Sequence, residues 1–109
     1  VLWGDGTQTR ELIFIDDAID IILQSMSTFS PKIFNLSSGK SYKLKEYAQT
    51  ICDIIDYDYN LIEWDTKAFV GSKSKKLINT HLKGYKFTSL KKGLTKTIKY
   101  YEDSISSSK

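Results

Sequence analysis

Apolar residues recur along this chain in two rhythms, short unbroken runs and stripes at helical spacing. The run Leu12, Ile13, Phe14, Ile15 reads as a buried strand. Asp16 and Asp17 follow it, acids suited to the positive end of a helix. Ile19, Ile22, Leu23 and Met26 then fall on one helical face. Pro31 cannot continue a helix and biases Ser30 away from helical angles, so this helix should stop within residues 27–31. Ile21 lies outside the stripe. A helix apolar on a second side predicts packing against something further.

The pattern repeats. Ile33, Phe34, Asn35 and Leu36 read as a second strand, closed by Ser37, Ser38 and Gly39. Leu44, Tyr47, Ala48, Ile51 and Ile55 form a second stripe, with Cys52 beside it, and predict a helix over residues 44–55 that frays near Asp56. Residues 61–64 read as a third strand, and 65–74 as a loop hinged at Gly71. Residues 75–82 read as a short helix stopped by Gly84. Thr88 can cap a last helix with Leu90, Leu94, Ile98 and Tyr101 on its apolar face, ahead of a frayed polar tail over 104–109. Three short strands and about four helices in alternation predict α/β architecture.

Composition narrows the class. The 109 residues suffice for one domain. No apolar run reaches the ~20 residues that span a bilayer, and nothing at the start has the layout of a signal peptide. The chain opens at Val1 without a Met, inside a motif-like segment, which reads as a piece cut from a longer protein. A lone cysteine excludes an intrachain disulfide and fits a reducing, cytoplasmic setting. Its place on a helix stripe makes Cys52 a core thiol rather than a nucleophile.

Charge adds an asymmetry that the net value of +3 conceals. Residues 1–65 carry eleven acids against five bases, whereas 66–101 carry ten lysines and no acid. An anionic partner for the second half and a merely solvated lysine surface both fit. Phe69, Tyr85, Phe87, Tyr100 and Tyr101 interleave with those lysines, so a basic nucleic-acid-binding module is an alternative, and a ligand-free interaction piece another.

Candidate chemistry begins at residues 3–10. Glycines at 4 and 6 allow close backbone approach, Trp3 offers a stacking surface, and Arg10 a rigid fork for phosphate oxygens. A turn, a core tryptophan and a surface arginine would give the same sequence. Lys67, Lys73, Lys75 and Lys76 line a later loop able to hold phosphate. His81 has no Ser or Cys partner placed by sequence, and the pair Glu63 and Asp65 has no supporting motif.

Together these segments resemble the C-terminal half of extended short-chain dehydrogenase/reductases, the NAD-dependent epimerase/dehydratase family. Gly4-Asp5-Gly6, then Arg10-Glu11, the apolar run and paired Asp16-Asp17 follow that family's order. Residues 33–39 resemble its strand ending in Asn and a small-residue turn. Leu90, Gly93, Leu94, Ile98 and Tyr101 resemble its closing helix. Trp3 seven residues before Arg10, and the loop Asp65-Thr66-Lys67 to Lys75-Lys76-Leu77, are similar to the branch that epimerises and reduces a GDP-linked keto sugar with NADPH.

The resemblance implies that residues 1–103 are a C-terminal substrate-binding portion. It implies that Trp3 and Arg10 contact the nucleotide diphosphate, with one of Lys75 and Lys76 a further phosphate contact. It also implies a missing N-terminal Rossmann domain, NAD(P) in the full-length enzyme, and a homodimer. Ala68 and Val70 stand where a Pro and an acid are expected, and Asn79 where the family has Asp, which leaves UDP- and dTDP-sugars open beside GDP-sugars. The glycine-rich dinucleotide fingerprint does not occur, and no tyrosine has a Lys four residues later. The expectations are therefore no cofactor bound by this piece, no catalytic residue within it, no metal site and no activity alone.

Overall fold

The computed structural model describes residues 1–27, 33–78 and 80–108. The helix stop expected at Ser30 and Pro31 lies outside them, as does Asn79.

Helix α2, Leu44–Ile55, forms where its stripe predicts, and buries Tyr47, Ala48 and Cys52. Cys52 is a core thiol. The first amides of α2 are already spent on the opening loop. Leu44 N donates to the Gln8 carbonyl at 2.9 Å and Lys45 N to that of Gly6 at 3.1 Å. The helix ends at Asp56, whose φ of 55° turns the chain left-handed while its amide closes on the Cys52 carbonyl.

Strand β1, Leu2–Trp3, pairs in parallel with β4, Trp64–Asp65. Strand β2, Thr9–Glu11, pairs antiparallel with β3, Ser41–Lys43, placing Arg10 opposite Tyr42. On its other edge Thr9 bridges Ser74, with Thr9 N donating to the Lys73 carbonyl at 2.9 Å. β2 is thus the middle of three extended segments drawn from distant parts of the sequence.

Several elements differ from expectation. The run 12–15 is not a strand: β2 stops at Glu11, and helix α1, Ile15–Ser27, starts at once, with Ala18 N already donating to the Phe14 carbonyl. Residues 33–36 form no strand either. Asn35 donates its side-chain amide to the Ile78 carbonyl at 3.0 Å, and pairing waits until Ser41, where β2 offers an edge. Residues 59–61 make a 3-10 turn capped by Asp58, so the third strand starts only at Trp64. The expected helix over 75–82 is not seen among the described residues. Leu77 N goes to the Glu11 carboxylate instead, and residues 81–84 form a turn.

Helix α3, Leu90–Ser107, is capped by Ser89, whose hydroxyl accepts from Lys92 N, while Thr88 is taken by Asp17. It continues through 104–107, so that stretch is helical rather than a frayed tail. Tyr101, expected on its apolar face, is exposed. Gly93 meets Phe14 closely: a Cβ there would sit 3.4 Å from the ring-bearing side chain, and Lys96 lies 5.5 Å over the same ring.

Helix α1 reverses the predicted facing. Ile21, with Asp17 and Ala18, is buried at 3% exposure, whereas Ile19, Ile22, Leu23 and Met26 are exposed, the last two at 60% and 75%. The core among the described residues is correspondingly thin, with no side chain wholly buried. The radius of gyration is 16.6 Å, against the roughly 13 Å of a compact domain of this length. The architecture is α/β, with four very short strands and three α-helices described.

Candidate functional site

β2 organises the site because successive side chains leave a strand on opposite faces. Arg10 points one way. Its Nη1 donates to the Thr9 and Ser72 carbonyls, both at 2.8 Å, and its Nη2 to that of Val70 at 3.0 Å. Three of five N–H donors are used, two of them in fixing the loop 70–72; two have no acceptor among the described residues. Tyr47, from α2, donates its hydroxyl to the Arg10 carbonyl at 2.9 Å and fixes the strand beneath. Burial of its ring, first among several influences, raises the Tyr47 pKa.

Trp3 ends β1 and stands 64% exposed. Its neighbour Gly4, at φ +88°, lies against Val70, the residue whose carbonyl Arg10 holds; a Cβ there would meet the Val70 side chain at 2.7 Å. Lys75 and Lys76 are exposed on the segment bridged to Thr9, with Lys75 N donating to the Thr9 carbonyl. The four residues read from sequence as substrate contacts lie on three segments: Arg10 faces the loop 70–72, whereas Lys76 lies toward Glu11 on the other face of β2. Asp5 closes the opening turn, and the bonds it accepts from the Thr7 hydroxyl and amide lower its pKa.

Glu11 leaves β2 on the other face and was missed as a site residue. Its carboxylate accepts from the Ser37 hydroxyl, from Gly39 N at 3.0 Å and from Leu77 N at 3.2 Å. Burial pushes this carboxyl up, but those bonds and the nearby Lys76 outweigh it, so Glu11 titrates below the ordinary glutamate value. Asp17, also missed, accepts from Thr88 N at 2.7 Å and Oγ1 at 2.9 Å, tying α1 to the entry of α3. Both stood in the motif as landmarks. Only tertiary partners distinguish a landmark from a clamp.

Other candidates have structural roles. His81 is exposed with its ring 6.2 Å from that of Phe34. Asp65 accepts from Lys67 N and Ala68 N and so shapes its own turn. Gln8 is buried, donates Nε2 to the Trp3 carbonyl and keeps Oε1 without a partner among the described residues.

The fold is similar to that of extended short-chain dehydrogenase/reductases. The sequence model of the NAD dependent epimerase/dehydratase family matches residues 1–37. The chain superposes on a UDP-glucose 4-epimerase from Thermotoga maritima, solved with UDP-glucose, at a TM-score of 0.81 and 23% identity, covering 95% of this chain and 35% of that one. It superposes on a dTDP-glucose 4,6-dehydratase from Bacillus anthracis, solved with NAD, at 0.72 and 20%, covering 94% and 34%. Those likenesses concern the fold.

Among curated relatives, GDP-L-colitose synthase of Yersinia pseudotuberculosis is 30% identical over 92% of this chain and 34% of its own length. The probable GDP-L-fucose synthase 1 of Oryza sativa subsp. japonica is 29% identical over 100% and 34%. The chain thus resembles the NAD-dependent epimerase/dehydratase family over residues 1–37 and is similar over nearly its whole length to one part of GDP-L-colitose and GDP-L-fucose synthases. It spans about a third of the length of these relatives.

The surroundings of Gly4 and Gly6 differ from those of a dinucleotide-binding glycine turn. A pyrophosphate cradle needs glycines opening a helix. Here Gly4 and Gly6 join two strands, and the space their missing Cβ atoms leave is filled by Val70 and Gln8, and by Trp64 and Lys45. No helix among the described residues is long and apolar enough to cross a membrane.

Proposed function

We propose that residues 1–103 are the C-terminal substrate-binding portion of an NAD(P)-dependent nucleotide-sugar epimerase/reductase similar to GDP-L-fucose synthase. The portion grips the nucleotide diphosphate of a GDP-sugar. The observation that carries this reading is Arg10: a guanidinium held by the Thr9 carbonyl and two loop carbonyls, with donors left for an oxyanion, while the exposed Trp3 precedes Gly4, which packs on the same Val70 that Arg10 holds. Trp3 stacks on the base or sugar, Arg10 binds the diphosphate, and Lys75 or Lys76 adds charge. The rest of the enzyme supplies the cofactor and the reacting groups, and it covers the apolar stripe that α1 leaves exposed.

Two measurements test this. GDP should stabilise the chain saturably in thermal melts, more than ATP does, and Arg10→Ala should remove that effect. An unchanged GDP response in Arg10→Ala would sink the role given to Arg10. The polypeptide should also show no turnover of any GDP-sugar with NADPH; measurable turnover would refute the division of labour.

A further inference from the structure

β2 fastens the later loop at three successive residues. Arg10 takes the carbonyls of Val70 and Ser72. Thr9 takes the middle: its amide donates to the Lys73 carbonyl, its hydroxyl to that of Ser74 at 2.9 Å, and its carbonyl accepts from Lys75 N at 3.4 Å. Glu11 takes the far end through Leu77 N at 3.2 Å. Residues 70–77 therefore lie along the strand as a strap, with Lys73, Lys75 and Lys76 between its outer fastenings.

The far fastening requires a carboxylate. Glu11 Oε1 accepts from the Ser37 hydroxyl and Gly39 N, and Oε2 accepts from Leu77 N. Only an ionised carboxyl presents acceptors on both sides. An amide of the same size has one oxygen and one NH2. It can keep Ser37 and Gly39, or keep Leu77, and it meets the remaining donor with another donor. Ile78, next along the chain, accepts from Asn35 Nδ2 at 3.0 Å. Asn35, Ser37 and Gly39 belong to one stretch, so Glu11 ties the end of the strap both to β2 and to that stretch.

We propose that Glu11 is a positioning residue of the nucleotide-diphosphate site: by holding the Leu77 amide it sets Lys75 and Lys76 at the edge of β2 before a ligand arrives. This role rests on the proposed nucleotide-sugar reading. A loose lysine segment loses conformational freedom when an anion draws it in, and that loss comes off the affinity. A segment already fastened loses little. Glu11 is itself an anion and repels phosphate, so its support for binding is indirect.

Glu11→Gln separates the two effects because their signs oppose. Removing a negative charge near a phosphate site should, by electrostatics alone, tighten GDP binding. Loosening the strap should weaken it, by about tenfold in calorimetric titration of protein that keeps its helical circular dichroism. Asp17→Asn controls for general softening. It weakens a clamp between α1 and the entry of α3, away from the strap, and should leave GDP affinity within about twofold of the unmodified chain. Equal or tighter binding in Glu11→Gln, or an equal loss in Asp17→Asn, would overturn the positioning role and leave the nucleotide reading intact. No GDP binding by the unmodified chain would sink that reading and this role with it. Should Glu11→Gln unfold, reciprocal linkage supplies the test in the unmodified chain: saturating GDP should slow hydrogen exchange of the Leu77 amide by about threefold or more. An unchanged rate would contradict the proposal.

Discussion

Helices α1 and α2 carry equally clear apolar stripes, and the structure treats them in opposite ways. α2 buries Tyr47 and Ala48 of its stripe together with Cys52, half-buries Leu44 and Ile51, and leaves Ile55 at its end exposed. α1 leaves Ile19, Ile22, Leu23 and Met26 to solvent and buries Asp17, Ala18 and Ile21 instead. A stripe states which face of a helix gains from leaving water. It does not state whether the covering surface lies in the same chain. α2 has its cover here, in β3 and α3. α1 meets the described chain where Asp17 reaches Thr88 and Asp20 reaches Tyr85.

Substitutions sharpen that contrast. The largest loss should come from Ile21→Ala, about 2–4 kcal/mol by denaturant unfolding, because a buried branched side chain is removed from a thin core. A change below about 1 kcal/mol would mean that this face of α1 is not packed in solution. Asp17→Asn should cost about 1–3 kcal/mol, since the charge-assisted bonds from Thr88 weaken; an unaltered midpoint would dissociate α1 from the α3 entry.

Glu11→Gln follows, at about 1–2 kcal/mol. Its pH signature has a definite sign. The folded pKa lies below the unfolded one, so the carboxylate stabilises fully above the unfolded value and that contribution fades as pH falls through the folded value. The acid limb of the stability profile should flatten in Glu11→Gln, and an identical limb in both proteins would argue against the clamp. The smallest effect should come from Ile19→Ser with Leu23→Ser, within about 0.5 kcal/mol, because both sites are exposed. A loss as large as that of Ile21→Ala would reverse the assignment of faces.

What the sequence revealed follows the same division. α2 was legible to its ends because helical period, stripe and αL stop all agree locally. The short strands were misplaced because pairing partners, not apolar runs, decide where they form: β2 finds β3 and Ser74, while residues 12–15 find no edge. The segment at 75–78 could not be read as extended, since its amide and carbonyl go to Glu11 and Asn35, both far off in sequence. Trp3, Arg10 and the lysine loop were legible as residue types. The Arg10 bonds to Val70 and Ser72 required coordinates.

The most direct test of the nucleotide grip is a titration of the isotopically labelled chain with GDP, followed by NMR at the Trp3 indole N–H and the Arg10 Nε–H. Both resonances should move together along one saturable curve. If they stay fixed while lysine resonances alone respond, the opening loop does not hold the nucleotide and the account fails.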